Sequence, residues 1–333
     1  MKALMLFIYV TNRCERHCDQ CYCNKSDFDM SPEVCDKIAR WISTLCQTEK
    51  VELLKTVFLG GEPLNSINVV FKIVDTVQLP YTKPHPDGMW LLFTNGDKLS
   101  DDVLYGMKHR KIFLALNPTY DSIYQVEKKM MHIAGVFRGG TLTIALNNMN
   151  MQRVPELAEL ALKYNFTLRI NRLYDGGNDL LYIEQYRSQM HKVFDILLSA
   201  EKPMWPNWLM ESTYPTWKGP KNPYSCGRWL LVIDPDGTIR SCNPDMSTVI
   251  GHIDTHNQMS DFVFPQRWSA KNLPECQNCE WITLCQGGCP YSRKLTFGTY
   301  NHKTPFCSVF KELFPRLLEL TRKWESYALQ RHK

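Results

Sequence analysis

Apolar positions along this chain follow two alternating rhythms. Short, nearly unbroken runs read as strands buried on both faces: LMLFIYV at 4–10, TVFLG at 56–60, MWLLFT at 89–94, IFLAL at 112–116, TLTIAL at 141–146 and FTLRIN at 166–171. Each is followed by a stretch of helical period. The first helix is announced by Ser31-Pro32-Glu33, a capping residue, a proline at the first helical position and an acid in the first turn. Val34, Ile38, Trp41, Ile42 and Leu45 then share one face. Six strand-helix units in series predict an α/β fold with a parallel sheet. Residues 1–200 fall short of the eight units of a complete TIM barrel, so the expectation is a partial, open (β/α)6 barrel.

Past Ala200 both rhythms stop. Residues 201–225, KPMWPNWLMESTYPTWKGPKNPYS with the glutamate before them, are rich in proline and aromatics and read as an ordered connector. Residues 226–333 form the third segment, a small cysteine-rich domain. WLLVIDPDGTIRSC predicts a β-hairpin turning at Asp-Gly. The chain closes with an amphipathic helix around Phe310, Leu313, Phe314, Leu317, Leu320 and Trp324, expected to dock on the protein. Internal repeats and low-complexity tracts are absent from the sequence.

Composition narrows the function classes. At 333 residues the chain can bury a large core, and its formal net charge of +5 is spread without a basic tract, which gives no reason to expect nucleic acid. The Ala3–Val10 run is too short for a membrane span and is followed by no cleavage site, so neither membrane nor secretion is expected. Thirteen cysteines without a secretory signal argue for thiols that bind metal in a reduced compartment, with the cytoplasm as the default.

The thiols are concentrated. Cys14, Cys18 and Cys21 follow the first strand as C-x3-C-x2-C, and three thiolates of a cubane [4Fe-4S] cluster leave one iron open. A zinc site is the alternative for the loop alone, with Cys23 or His17 as fourth ligand. FLGGEPL ends the second strand, with Gly60, Gly61, Glu62 and Pro63, and TNG at Thr94, Asn95 and Gly96 ends the third.

These three motifs, in this order and at successive strand ends, resemble the radical S-adenosylmethionine (SAM) superfamily. The resemblance implies that the open iron chelates the amino and carboxylate groups of SAM, whose reductive cleavage yields a 5′-deoxyadenosyl radical that abstracts a substrate hydrogen. Gly60 and Gly61 would let the backbone approach the methionine moiety, and Glu62 would face its ammonium group. Pro63, Asn95 and Asn117 complete the expected cofactor contacts. One departure is that Gln20 stands before the third cysteine, where relatives usually carry an aromatic residue; the adenine neighbour is then either Tyr22, on the other side, or apolar residues of later strands. Cys35 and Cys46 read as ordinary buried thiols of the first helix.

The later cysteines, Cys226, Cys242, Cys276, Cys279, Cys285, Cys289 and Cys307, with Gly237, are spaced C-x10-G-x4-C, a gap, C-x2-C-x5-C-x3-C, a gap, and C. This looks like the SPASM domain of radical SAM enzymes that modify peptides and proteins. By that resemblance Cys276, Cys279, Cys285 and Cys307 hold an outer auxiliary cluster. Cys226, Cys242 and Cys289 hold an inner one with either an open iron or a non-cysteine ligand. The cofactors implied are SAM and three [4Fe-4S] clusters.

Sulfatase maturases share this layout but usually carry an aspartate base directly after the cysteine that follows the hairpin. Here that position is Asn243, which accepts no proton, while Asp245 lies two residues on as a candidate catalytic residue. The leading expectation is oxidative modification of a ribosomally made peptide or protein, such as a thioether or other crosslink. The alternatives are a small-molecule dehydrogenase and a non-enzymatic iron-sulfur electron carrier. Expected partners are the peptide and an electron donor such as flavodoxin or ferredoxin. Because the first strand starts almost at Met1, the expectation is either a separate leader-recognition protein or a substrate that requires none.

Overall fold

In the computed structural model of the chain, the residues described are 2–18, 21–79, 82–84, 89–147, 150–172, 182–204, 229–264 and 272–331. They fall into two compact units, Met1–Leu116 with Tyr224–Gln266, and Asn117–Pro223 with Arg267–Lys333.

The first unit is organised by a sheet whose parallel strands are β1 (Ala3–Tyr9), β2 (Leu53–Leu59), β3 (Lys83–Pro84), β4 (Trp90–Thr94) and β5 (Ile112–Leu116). Helix α1 (Pro32–Thr48) follows β1, α2 (Ile67–Thr76) follows β2 and α3 (Asp101–His109) precedes β5. Helix α1 starts where the sequence predicts: the Ser31 side chain accepts from the Val34 N–H, and Cys35, Ile38, Ala39, Trp41, Ile42, Leu45 and Cys46 are buried. Both faces of β1 are buried. Phe7 and Tyr9 pack in one cluster with Val57, Leu91, Ala115, Leu230 and Val232, and Leu4, Leu6 and Ile8 are buried too. Such two-sided burial is why the strand reads as a continuous apolar run.

The expected hairpin forms from β8 (Leu230–Ile233) and β9 (Thr238–Arg240), which turn at Asp236-Gly237 with Gly237 at φ +93°. A strand missed in the sequence, β10 (Val249–His252), pairs antiparallel with β9. Strand β8 lies parallel to β1, Met5 opposite Leu230 through Ile8 opposite Ile233, so the hairpin continues the sheet of the first strands. The open edge of β1 needs hydrogen-bond partners, and a four-residue apolar strand supplies them from far along the chain.

The second unit carries two further parallel strands, β6 (Thr141–Leu146) and β7 (Thr167–Arg172), and the helices α4 (Ile123–Val136), α5 (Val154–Lys163) and α6 (Ile183–Ser199). Two short helices, α7 (Ile282–Cys285) and α8 (Pro290–Phe297), precede the terminal α9 (Cys307–Arg331). Helix α9 docks as its amphipathic pattern predicts. Phe310, Leu313, Phe314, Leu317 and Leu320 are buried, and its polar side bonds α6 through Arg187–Glu312, Arg316–Asp195 and Arg316 Nη1 to the His191 carbonyl. Among the described residues no helix is long and apolar enough to cross a membrane. The proline-rich connector lies almost wholly outside the described residues, as do Cys226 and Gln20.

Candidate functional site

The loops at the carboxyl ends of β1, β2 and β4 are joined into one framework, and Glu62 is its hub. The carboxylate is only 2% exposed. Its Oε1 accepts from the Thr94 hydroxyl at 2.6 Å and the Leu64 N–H at 3.1 Å, and its Oε2 accepts from the Asn95 N–H at 2.9 Å. Its own N–H donates to the Arg13 carbonyl at 2.7 Å. Burial pushes the Glu62 carboxyl above its ordinary range, against the pull of these hydrogen bonds.

The two glycines before Glu62 are dictated by how closely the loops approach. The Gly61 N–H donates to the Thr11 carbonyl at 2.8 Å. A Cβ at Gly60 would stand 2.6 Å from the Thr11 carbonyl oxygen, and one at Gly61 would overlap the Arg13 carbonyl. The glycines thus admit the backbone of the cysteine loop itself. Pro63 is buried at the start of the following 3-10 turn.

Outside this core, ion pairs hold the cysteine loop. Arg16 makes a bidentate bond to Asp97, both contacts at 2.6 Å, and Lys98 reaches Glu15 and Asn65. Asp29 accepts from the Thr11 hydroxyl at 2.5 Å, from Arg13 Nε at 3.0 Å and from Ser66 at 3.1 Å. Burial pushes the Asp29 carboxyl up, but these bonds outweigh it and leave the carboxyl below its ordinary range.

Cys14, Cys18 and Cys21 belong to this loop, and their thiols interact electrostatically with one another. Burial raises the pKa of Cys14 and Cys18. A hydrogen bond with Cys23 lowers that of Cys21, which favours the thiolate that binds iron. Cys23, unassigned in the sequence, is thus a neighbour of the cluster loop, and its thiol also lies 3.7 Å from the Gly60 carbonyl oxygen.

Tyr22, 40% exposed, is tied to the hairpin exit. Tyr9 donates to Asn243 Oδ1 and Asn243 Nδ2 donates to the Tyr22 hydroxyl, both at 2.7 Å. Asp245, the candidate base, accepts from the Ser247 N–H and hydroxyl and from the Thr248 hydroxyl, the bonding of a carboxylate that builds a turn. Sequence reasoning missed Arg240. It is 1% exposed, bidentate to Asp234 at 2.7 Å, and donates to the carbonyls of Cys242, Asn243 and Asp245. It wraps the loop that carries Cys242. Asn95 accepts from the Asp97 N–H, and in the second unit Asn117 accepts from the Thr119 hydroxyl.

The remaining cysteines of the second unit are set by tight turns. The Cys279 N–H donates to the Cys276 carbonyl at 3.1 Å. Gln286, Gly287 and Gly288 then hold φ of +52°, +78° and +76°, reversing the chain between Cys285 and Cys289. A Cβ at Gly288 would overlap the Thr304 side chain, which explains CQGGC. The Thr304 N–H donates to the Gly287 carbonyl and the Cys307 N–H to the Thr304 carbonyl. Burial raises the Cys276 thiol, as do its neighbours Cys307 and Cys279, and pushes Cys285 up to about 12. Cys276, Cys279, Cys285 and Cys307 are therefore electrostatic neighbours. Cys242 is a residue of the first unit and Cys289 of the second.

Among the described residues no three Cys, His, Asp or Glu side chains are gathered as around a single metal ion. The two thiol sets instead fit, in donor chemistry, the soft ligands of iron-sulfur clusters.

The comparisons agree with this architecture. Residues 4–101 match the family described as a 4Fe-4S single cluster domain. An uncharacterized protein of Archaeoglobus fulgidus is 21% identical over 339 residues, 94% of this chain and 81% of its own. Mycofactocin maturase MftC of Mycobacterium tuberculosis is 24% identical over 191 residues, covering 52% of this chain and 48% of its own. The solved structure of native anSMEcpe with bound AdoMet has a TM-score of 0.72 at 17% identity, covering 96% of this chain and 99% of that one. Streptococcus suis SuiB bound to its precursor peptide SuiA gives 0.60 at 15% identity, covering 92% and 76%. The chain shares the fold of the anSMEcpe and SuiB structures, an α/β fold with a parallel sheet as the sequence pattern predicts.

Proposed function

We propose that the chain is a radical SAM/SPASM enzyme that oxidatively modifies a ribosomally made peptide or protein. The observation that carries the reading is the Glu62 hub, which binds the GGEP and TNG loops to the backbone of the loop holding Cys14, Cys18 and Cys21. An electron carrier has no use for that framework, because electron transfer needs only the thiolates.

In this reading Cys14, Cys18 and Cys21 hold the first cluster, and Gly60, Gly61, Glu62, Pro63, Asn95, Asn117 and Tyr22 surround SAM. Cys276, Cys279, Cys285 and Cys307 hold the outer auxiliary cluster, and Cys226, Cys242 and Cys289 the inner one. When bound, cluster and SAM together supply the one-electron chemistry that generates a hydrogen-abstracting 5′-deoxyadenosyl radical. The chain's own residues position and enclose that chemistry. Glu62 fixes three loops, the Arg16–Asp97 pair fixes the cysteine loop from outside, and the Tyr9–Asn243–Tyr22 bonds orient Tyr22.

Support for a peptide substrate comes from the relatives: MftC is a maturase, SuiB is solved with a precursor peptide and anSMEcpe with a Cp18Cys peptide. Within that class, oxidation with an aspartate base after the hairpin cysteine is disfavoured. Asn243 offers an amide there and Asp245 is bonded into its own turn. The test is anaerobic incubation of the reconstituted chain with SAM and dithionite, then with short cysteine-containing peptides and, separately, small alcohols and amino acids. The proposal expects 5′-deoxyadenosine in all cases and a mass loss of hydrogens in a peptide. Intact SAM would overturn it, and oxidation confined to small molecules would replace the substrate class by the dehydrogenase alternative.

A further inference from the structure

Thr94 ends β4 as the first residue of TNG and has no part in the proposed SAM contacts, yet its hydroxyl is buried and bonded on both sides. Its Oγ1 accepts from the Gly96 N–H at 2.9 Å and donates to Glu62 Oε1 at 2.6 Å, within the short range of a hydroxyl bonded to a carboxylate. An ionised carboxylate only accepts, so the single proton of the hydroxyl is used on Oε1.

The donors to Glu62 divide unevenly between its oxygens. Oε1 accepts from both the Thr94 hydroxyl and the Leu64 N–H, whereas Oε2 accepts only from the Asn95 N–H among the described residues. A carboxylate offers about four lone-pair positions, two on each oxygen. Both on Oε1 are filled, and one on Oε2 is left over. Thr94 and Asn95 are consecutive, and because one grips each oxygen, together they fix the rotation of the carboxylate about its last bond. A buried carboxylate held in one orientation with one acceptor position open fits a cationic donor, since a buried anion is costly until it is paired. The ammonium group of SAM is such a donor.

We infer that Thr94 is a positioning residue for SAM: by saturating Oε1 and fixing the carboxylate plane, it reserves the open position of Oε2 for the ammonium group. The inference rests on the proposed reading that Glu62 belongs to the SAM site. Thr94 acts through Glu62.

The test is calorimetric titration of SAM into the reconstituted full-length chain carrying native Thr94, Thr94→Val, Thr94→Ala or Thr94→Ser. Iron counts and rates of 5′-deoxyadenosine formation over a range of SAM concentrations accompany it. Valine keeps the shape of threonine without its hydroxyl, serine keeps the hydroxyl, and alanine stands in should the valine chain fail to hold iron. The expected result is that the hydroxyl-free variants bind SAM about tenfold more weakly, the scale of one hydrogen bond to a charged group. Their KM for SAM rises in step while kcat at saturating SAM stays near the native value, and Thr94→Ser restores native binding. Native SAM affinity in the hydroxyl-free variants overturns the inference, whatever their stability, and assigns Thr94 to the turn at Gly96. Equal weakening in Thr94→Ser overturns it too, because the hydroxyl is then not the group that matters. A native chain that holds iron but binds no SAM would instead remove the proposed SAM site and this inference together.

Discussion

The cysteine loop after β1 and the cysteine segments around CQGGC solve one problem, holding several thiols in place, by different physical means. In the first unit the loop has little regular structure and is pinned from neighbouring strand ends by a buried carboxylate, by glycines that admit its backbone, and by ion pairs at its rim. In the second unit the thiols are placed by the chain's own turns, with successive left-handed residues and short backbone bonds. Each unit also buries an arginine, the first Arg240, which is bidentate to Asp234 and wraps the Cys242 loop, and the second Arg293, whose backbone N–H donates to the Cys289 carbonyl. The difference teaches that the first site depends on long-range contacts, so single changes far from a cysteine should disable it, whereas the second should fail mainly when its own turns are altered.

The largest separation is expected between cysteine variants. Cys14→Ala/Cys18→Ala/Cys21→Ala should abolish 5′-deoxyadenosine formation, while Cys276→Ala/Cys279→Ala should leave SAM cleavage measurable, as chromatography of the quenched reaction would show. Next, Gly61→Ala should destabilise the first unit by ~2 kcal/mol or more. The new methyl overlaps the Arg13 backbone, and urea unfolding reads the effect. Glu62→Ala leaves the Thr94 hydroxyl and the Leu64 and Asn95 N–H groups without their acceptor, at a cost of about 1–3 kcal/mol. It should also cost SAM binding measured by calorimetry, because three loops lose their common anchor.

Smaller effects refine the comparison. The folded pKa of Asp29 lies below its unfolded value, so its contribution is present above about pH 4 and is lost as pH falls through the folded pKa. Asp29→Asn should therefore flatten the acid limb of the stability curve, and an unchanged limb would detach Asp29 from the loop's support. Tyr9→Phe removes one buried donor to Asn243 and should cost ~1 kcal/mol in thermal unfolding.

Much of this was legible in the sequence because it is local. Ser31-Pro32-Glu33 starts α1, Asp236-Gly237 turns the hairpin, and the unbroken runs mark the strands buried on both faces. The cysteine spacings and GGEP located both thiol-bearing regions. What escaped was non-local. The pairing of β8 with β1 joins positions more than two hundred residues apart, and no periodicity encodes it. Arg240 and Arg293 look like ordinary solvated charges until the fold buries them. Cys23 fits no motif, yet its hydrogen bond biases Cys21 toward the thiolate. Gly60 and Gly61 also admit the backbone of the cysteine loop, a close approach that no local pattern shows.

The measurement that tests the central claim most directly is iron and acid-labile sulfide per chain after anaerobic reconstitution. It would be made on the native chain, Cys14→Ala/Cys18→Ala/Cys21→Ala and Cys276→Ala/Cys279→Ala, with 5′-deoxyadenosine assayed in parallel. The account predicts about twelve irons in the native chain and about eight in each variant, with SAM cleavage lost only in the first. About four irons in the native chain, unchanged by Cys276→Ala/Cys279→Ala, would contradict it.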